Sequence, residues 1–168
     1  MRKLVLSGKG ILTGEGSLLA LKDLKYERAL LVTGGSSMIK SGVIARAEKY
    51  LQMNGTETDL FSGVPKNPSI EDVLKGLVIC RKFKPDVILA IGGGSAMDCA
   101  KAILLFYEFP YLNFENVLEF NKKGEIPTER KTGLICVPST SGTGSEVTRG
   151  TVITDPEKEL KVPIMTDC

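Results

Sequence analysis

An unbroken apolar run, Val87-Ile88-Leu89-Ala90-Ile91, leads directly into Gly92-Gly93-Gly94. No other feature narrows the fold as much. A short run with no polar face reads as a strand buried on both sides, and such a strand needs helices above and below a parallel sheet. Three glycines then allow a sharp turn. From Ser95 to Leu105 the spacing becomes helical, with Ala96, Met97, Ala100, Ile103 and Leu104 on one side.

The rest of the chain repeats this alternation. Ala29-Leu30-Leu31-Val32-Thr33 predicts a buried strand ending at Gly34-Gly35. Apolar spacing at Ile39, Val43, Ile44, Ala47 and Leu51 predicts one helix over 38–51, stopped by Asn54-Gly55. Residues 56–61 can form a second strand, and the Gly and Pro content of 63–68 marks a loop. Ser69, with Glu71 and Asp72 behind it, starts a helix whose apolar stripe is Ile70, Val73, Leu74, Leu77 and Val78, and Pro85 ends it. Residues 108–132 read as a long connection with a short helix near Asn116. Residues 133–137 form a further buried strand stopped by Pro138, and two late strands flank Asp155-Pro156. Strands alternating with helices predict an α/β fold with a mainly parallel sheet flanked by helices. At 168 residues one domain spanning 1–168 is expected.

Composition removes several function classes. Net charge is +2, from 22 basic and 20 acidic residues, which gives no electrostatic reason for a nucleic acid or an anionic membrane as partner. No apolar stretch is long enough to span a bilayer, and the apolar run after Met1-Arg2-Lys3 is too short for a signal peptide, so a cytoplasmic location is expected. Cys80, Cys99, Cys136 and Cys168 are far apart and read as reduced thiols. Histidine is absent. That removes the commonest general base near neutral pH and the commonest imidazole metal ligand.

Two segments are suited to an anion. Glycines at 92–94 let a ligand approach the backbone, and the following helix offers unpaired N–H groups and the positive end of its dipole. Neither Gly-x-Gly-x-x-Gly nor a Walker loop is present, and a tight turn using glycine for sterics alone is the other reading. Asp98, three residues after Ser95, is by spacing a capping-box acid or a carboxylate near a reacting group. Lys101 reads as a solvated or ion-paired helix residue. The second segment, Pro138-Ser139-Thr140-Ser141-Gly142-Thr143-Gly144-Ser145-Glu146-Val147-Thr148, also follows a buried strand and can donate O–H and N–H bonds to phosphate or ribose. The alternative for it is a flexible polar loop. Ligands of open α/β sheets sit at the carboxyl ends of strands, which places both segments on one edge.

Residues 90–101 resemble the Gly-Gly-Gly-Ser-x-x-Asp-x-x-Lys motif of the iron-containing (group III) alcohol dehydrogenases, and residues 137–148 resemble their Pro-Thr-Thr-x-Gly-Thr-Gly-Ser-Glu-Val-Thr segment. Lys161 and Asn67-Pro68 also fit that family, and the resemblance covers essentially the whole chain. It implies a Rossmann-like, dehydroquinate synthase-like N-terminal domain that binds NAD or NADP across both loops. On that resemblance Gly93, Gly94 and Ser95 hold the diphosphate, and Ser139, Thr140, Thr143 and Thr148 line the phosphate and nicotinamide side. Asn67 lies toward the adenosine end, Lys161 at the nicotinamide ribose, and Asp98, the one catalytic candidate, near the nicotinamide.

The resemblance further implies a small alcohol or aldehyde substrate and a divalent metal, Fe or Zn. That metal is held by an Asp and several His in a region and an all-helical second domain whose positions this sequence does not contain. Activity of the chain alone is therefore not expected, and self-association through a face left open is. Where many members end the first strand with an Asp that binds the adenosine ribose, this sequence has Gly34. Removing that charge, with Ser36, Ser37 and Lys40 close in sequence, predicts NADP over NAD. A non-catalytic dinucleotide-binding module and a glycerol dehydrogenase-like enzyme are the alternatives. The Thr-Gly-Ser-Glu stretch favours the alcohol dehydrogenase branch.

Overall fold

The computed structural model describes residues 1–6 and 9–165; Cys168, counted among the thiols above, lies outside the described residues, as do Ser7 and Gly8. A four-stranded sheet forms the centre. Its strands are β3 (Arg28–Thr33), β4 (Glu57–Phe61), β5 (Val87–Gly92) and β6 (Gly133–Pro138), ordered β4-β3-β5-β6 and all parallel. Before it, β1 (Arg2–Leu6) and β2 (Lys9–Thr13) pair as an antiparallel hairpin. After it, β7 (Gly150–Asp155) and β8 (Leu160–Met165) form a second hairpin.

The two central strands are buried on both faces, as their composition requires. Ala29, Leu31, Val87, Leu89 and Ile91 meet α2 (Val43–Gln52) through Ile44, Ala47 and Leu51. Leu30, Val32, Ile88 and Ala90 point the other way, toward α3 (Ile70–Phe83) and α4 (Gly94–Glu108). At about 25 cal/mol per Å² of apolar surface, this double-sided burial is the main force holding the three layers together.

Three expectations need correction. The helix predicted over 38–51 is two pieces, α1 (Ser37–Lys40) and α2, because Gly42 takes φ 73 and breaks the run. Ile39 is consequently 45% exposed rather than part of the core stripe. On α3, Val73, Gly76, Leu77 and Cys80 face the sheet, while Leu74 and Val78 lie further round the helix at 47% and 68% exposure. Strand β6 is half-buried because it is one of the sheet's two edge strands among the described residues.

Other elements follow the sequence reading. Ser69 and Asp72 form a reciprocal capping box at the start of α3. A short helix, α5 (Val117–Lys123), lies in the long connection near Asn116. The β7–β8 turn is fixed by Asp155, whose carboxylate accepts from the N–H groups of Glu157 and Lys158.

Strand order positions the site. The chain runs from β3 outward to β4 and then returns across β3 to β5, so the order reverses between β3 and β5. Ligands of open α/β sheets bind at the carboxyl end of such a reversal. Gly34 follows β3 there and Gly93 follows β5.

Candidate functional site: a cleft at the strand ends

The two polar loops meet on one edge. Ser139 N–H donates to Gly92 C=O at 2.8 Å. A Cβ on Gly93 would lie 3.3 Å from Thr140 Oγ1, and one on Gly94 would lie 3.2 Å from Thr143 Cγ2. A side chain at either position would have to displace Thr140 or Thr143 by a few tenths of an ångström. Helix α4 starts at Gly93 with no side-chain cap. Ala96 and Met97 both donate to Gly93 C=O, at 3.1 and 3.3 Å. The N–H groups of Gly94 and Ser95 have no acceptor inside the helix and face outward at its positive end.

A cleft of about 510 Å³ lies against these groups, with Gly94, Ser95, Asp98, Thr143, Thr148 and Lys161 among its walls. This size is typical of small-molecule sites. Gly34, Gly93, Ser139 and Thr140 are outside the cleft lining but on the same edge; Gly34 accepts from Gly63 N–H at 2.9 Å, and a Cβ on Gly92 would lie 3.8 Å from Gly34 N. A second hollow of about 400 Å³ lies at the amino ends of the strands. Its carboxylates are already used by the fold. Asp86 accepts from the N–H groups of Glu27 and Arg28, and Glu108 accepts from those of Lys131 and Thr132.

Asp98 is not a cap. Its Oδ1 accepts from Ser145 Oγ at 2.6 Å and its Oδ2 from Val152 N–H at 3.2 Å. The carboxylate therefore faces the hydroxyl loop and β7, on the cleft wall. Asn67, with φ 54, joins three segments. Its N–H donates to Ser95 Oγ at 3.4 Å, its Oδ1 accepts from Lys161 Nζ at 3.4 Å, and its C=O accepts from Thr154 Oγ1 at 3.5 Å. Asn67 and Lys161 thus face the same stretch of the cleft.

Lys101 is the residue that sequence reasoning misplaced. It is 1% exposed, and among the described residues it has no ion-pair partner. Its Nζ donates to Thr148 C=O and Gly150 C=O at 2.9 Å each, and lies 3.3 Å from Thr148 Oγ1 and 3.5 Å from Ser145 Oγ. The signal was present: Met97, Lys101 and Leu105 are four residues apart, so Lys101 falls on a buried stripe. Ser145, 5% exposed, was likewise not singled out.

Among the described residues no group of three or more His, Cys, Asp and Glu is placed to hold a metal ion, and no helix is long and apolar enough to cross a membrane.

The sheet order, reversing between β3 and β5, and the cleft beside the carboxyl end of β5 define a Rossmann-like open α/β domain. The model of the family described as iron-containing alcohol dehydrogenase matches residues 5–168, and the chain belongs to that family. It is 43% identical over 156 residues to an NADPH-dependent butanol dehydrogenase of Clostridium saccharobutylicum, covering 93% of this chain and 40% of that protein. It is 41% identical over 147 residues to an alcohol dehydrogenase of Thermococcus barophilus, covering 85% of this chain and 39% of that protein. Among solved structures, an iron-containing alcohol dehydrogenase from Thermococcus thioreducens superposes with a TM-score of 0.80 at 38% identity, over 91% of this chain and 41% of that one. The chain therefore spans about two-fifths of the length of these relatives.

Proposed function

We propose that the cleft binds the diphosphate and nicotinamide of NADP(H) or NAD(H), as part of a dehydrogenase acting on a small alcohol–aldehyde or alcohol–ketone pair. The carrying observation is the convergence of the α4 amino terminus with the hydroxyl loop, seen in the 2.8 Å hydrogen bond from Ser139 N–H to Gly92 C=O and in Thr140 and Thr143 atoms lying 3.2–3.3 Å from where a Cβ on Gly93 or Gly94 would sit. This donor set suits a diphosphate: two outward N–H groups, several hydroxyls, and no side chain at the point of approach. The near-total match to a dehydrogenase family supports the same reading.

A bound nicotinamide supplies hydride-transfer chemistry. This chain binds and orients it. Gly93, Gly94 and Ser95 take the diphosphate, and Ser139, Thr140, Thr143 and Thr148 donate to its oxygens and the adjoining ribose. Asp98, fixed by Ser145 and Val152, presents a carboxylate edge to the nicotinamide end. Lys161 and Asn67, joined by a hydrogen bond, face the same stretch of the cleft, Lys161 serving the nicotinamide ribose and Asn67 the side toward the adenosine. Among the described residues no group fits a metal ion.

NADP is the preferred cofactor. Gly34 places no carboxylate beside the adenosine ribose, and Ser36, Ser37 and Lys40 are exposed nearby. The Clostridium relative is named for NADPH. A dinucleotide-binding module without catalysis is the second reading, which these 168 residues, with no histidine among them, also fit. The two readings part on whether the gene continues past Cys168 into a histidine-bearing helical segment.

Fluorescence titration of the chain with NADPH and NADH tests the proposal. Saturable binding of both, tighter for NADPH, is expected. Tighter NADH defeats the preference, and no binding of either up to about 1 mM defeats the reading.

A further inference from the structure

A lysine buried to 1% exposure needs an explanation that surface solvation does not supply. Taking an ammonium out of water costs several kcal/mol unless its donors are satisfied. Among the described residues no carboxylate lies within ion-pair distance of Lys101 Nζ; its partners are two carbonyls and two hydroxyls. All four belong to residues 145–150, and Ser145, Thr148 and Gly150 also line the cleft. The nearest negative group along this chain of contacts is Asp98, reached through Ser145 Oγ.

We infer that Lys101 is the positioning residue of the cofactor cleft. Its ammonium holds the carbonyls of Thr148 and Gly150 inward, and this sets the hydroxyls of Ser145 and Thr148 and the carboxylate of Asp98. Residues 145–149 carry no helix or strand of their own, so few backbone bonds compete with this clamp. Lys101 also leaves a positive charge directly beneath the cleft wall in a medium of low dielectric. That field favours an anionic guest over a neutral one. Helix α4 therefore contributes twice: its amino-terminal N–H groups at the surface, and the Lys101 charge nearly two turns further along, below it.

The inference rests on the cofactor reading above, and the test separates the two. Lys101→Met keeps the length and apolar stem and removes the charge and donors. It is expected to lower the melting temperature by several degrees while the chain still folds, and to weaken NADPH binding by about tenfold or more. Lys101→Arg, which retains charge and donors, is expected to recover most of that loss. NADPH binding by Lys101→Met within about twofold of the unsubstituted chain overturns the inference. Should Lys101→Met not fold, Lys101→Gln takes its place under the same criteria.

Hydrogen exchange without ligand decides the clamp even if the unsubstituted chain fails to bind NADPH, a failure that falls on the cofactor reading. Faster exchange confined to residues 143–150 in Lys101→Met upholds the clamp. Unchanged exchange there overturns it.

Discussion

Ser145 Oγ donates to Asp98 Oδ1 at 2.6 Å, joining residues 47 positions apart in sequence. The bond ties the middle of the hydroxyl loop to the second turn of α4. Ser145 is 5% exposed and also accepts from Lys101 Nζ. Replacing it with alanine leaves a carboxylate short of one donor and an ammonium short of one acceptor. Ser145→Ala should therefore cost roughly 1–3 kcal/mol of stability. Urea denaturation of both chains measures this, and an unchanged midpoint would show that water replaces the hydroxyl freely.

Gly94 separates the two explanations of the glycine run. Alanine is a better helix former than glycine, and Gly94 is the first residue of α4. A turn that used glycine for sterics alone should tolerate Gly94→Ala with little consequence for ligands. In the structure the new methyl would sit 3.2 Å from Thr143 Cγ2, at the point where the two loops meet. Thr143 is exposed and can shift. The expected outcome is a melting temperature within about 2 °C of the unsubstituted chain, with NADPH affinity reduced tenfold or more. Calorimetric melting beside isothermal titration supplies both numbers, and unaltered affinity would return the run to a purely steric role.

Gly34 gives a direct test of cofactor choice. A Cβ there meets only Val64 C=O, at 3.5 Å, so a larger side chain fits. Gly34→Asp places a carboxylate at the carboxyl end of β3, where it repels a 2′-phosphate and can accept from ribose hydroxyls. NADPH affinity should fall by more than tenfold while NADH affinity holds or improves. Parallel titrations with the two reduced cofactors read the ratio. Equal losses for both would place the adenosine ribose elsewhere on the edge.

The parallel sheet was legible because burial on both faces leaves an unbroken apolar word in the sequence, as at Val87–Gly92. The convergence of the two loops was legible for a related reason: each follows such a strand, and parallel strands end on the same side. What stayed hidden depends on pairs. Asp98 sits at cap spacing from Ser95, but its carboxylate turns to Ser145 and Val152, which are brought near by the β7–β8 hairpin rather than by local chain. Lys101 looked like a surface lysine because charge outweighs stripe position in a one-dimensional reading. The break at Gly42 was missed because the apolar spacing continues across it, although only the second half of that span is buried.

The two buried thiols make stability pH-dependent in a predictable direction. Cys80 on α3 and Cys99 on α4 are fully buried. Burial pushes the Cys80 thiol up to about 12; Arg81 opposes this and Glu108 adds to it. Burial, followed by the carboxylates of Asp72 and Asp98, pushes the Cys99 thiol up to about 12 as well. An unfolded thiol ionises near 9.0. Between pH 9.0 and about 12 the unfolded chain loses protons that the folded chain keeps. Stability from these two groups is thus complete below that window and falls as pH rises through it. The urea midpoint should decline more steeply from pH 8.5 to pH 10.5, chosen as about the accessible part of that window, than it does in a Cys80→Ala/Cys99→Ala double variant. Burial should also keep both thiols protonated and unreactive in the folded chain at about pH 8. Ellman's reagent at that pH should therefore titrate no more than two of the four cysteines until denaturant is added. Rapid reaction of all four in the folded chain would mean that the α3–α4 layer opens far more readily than its packing implies.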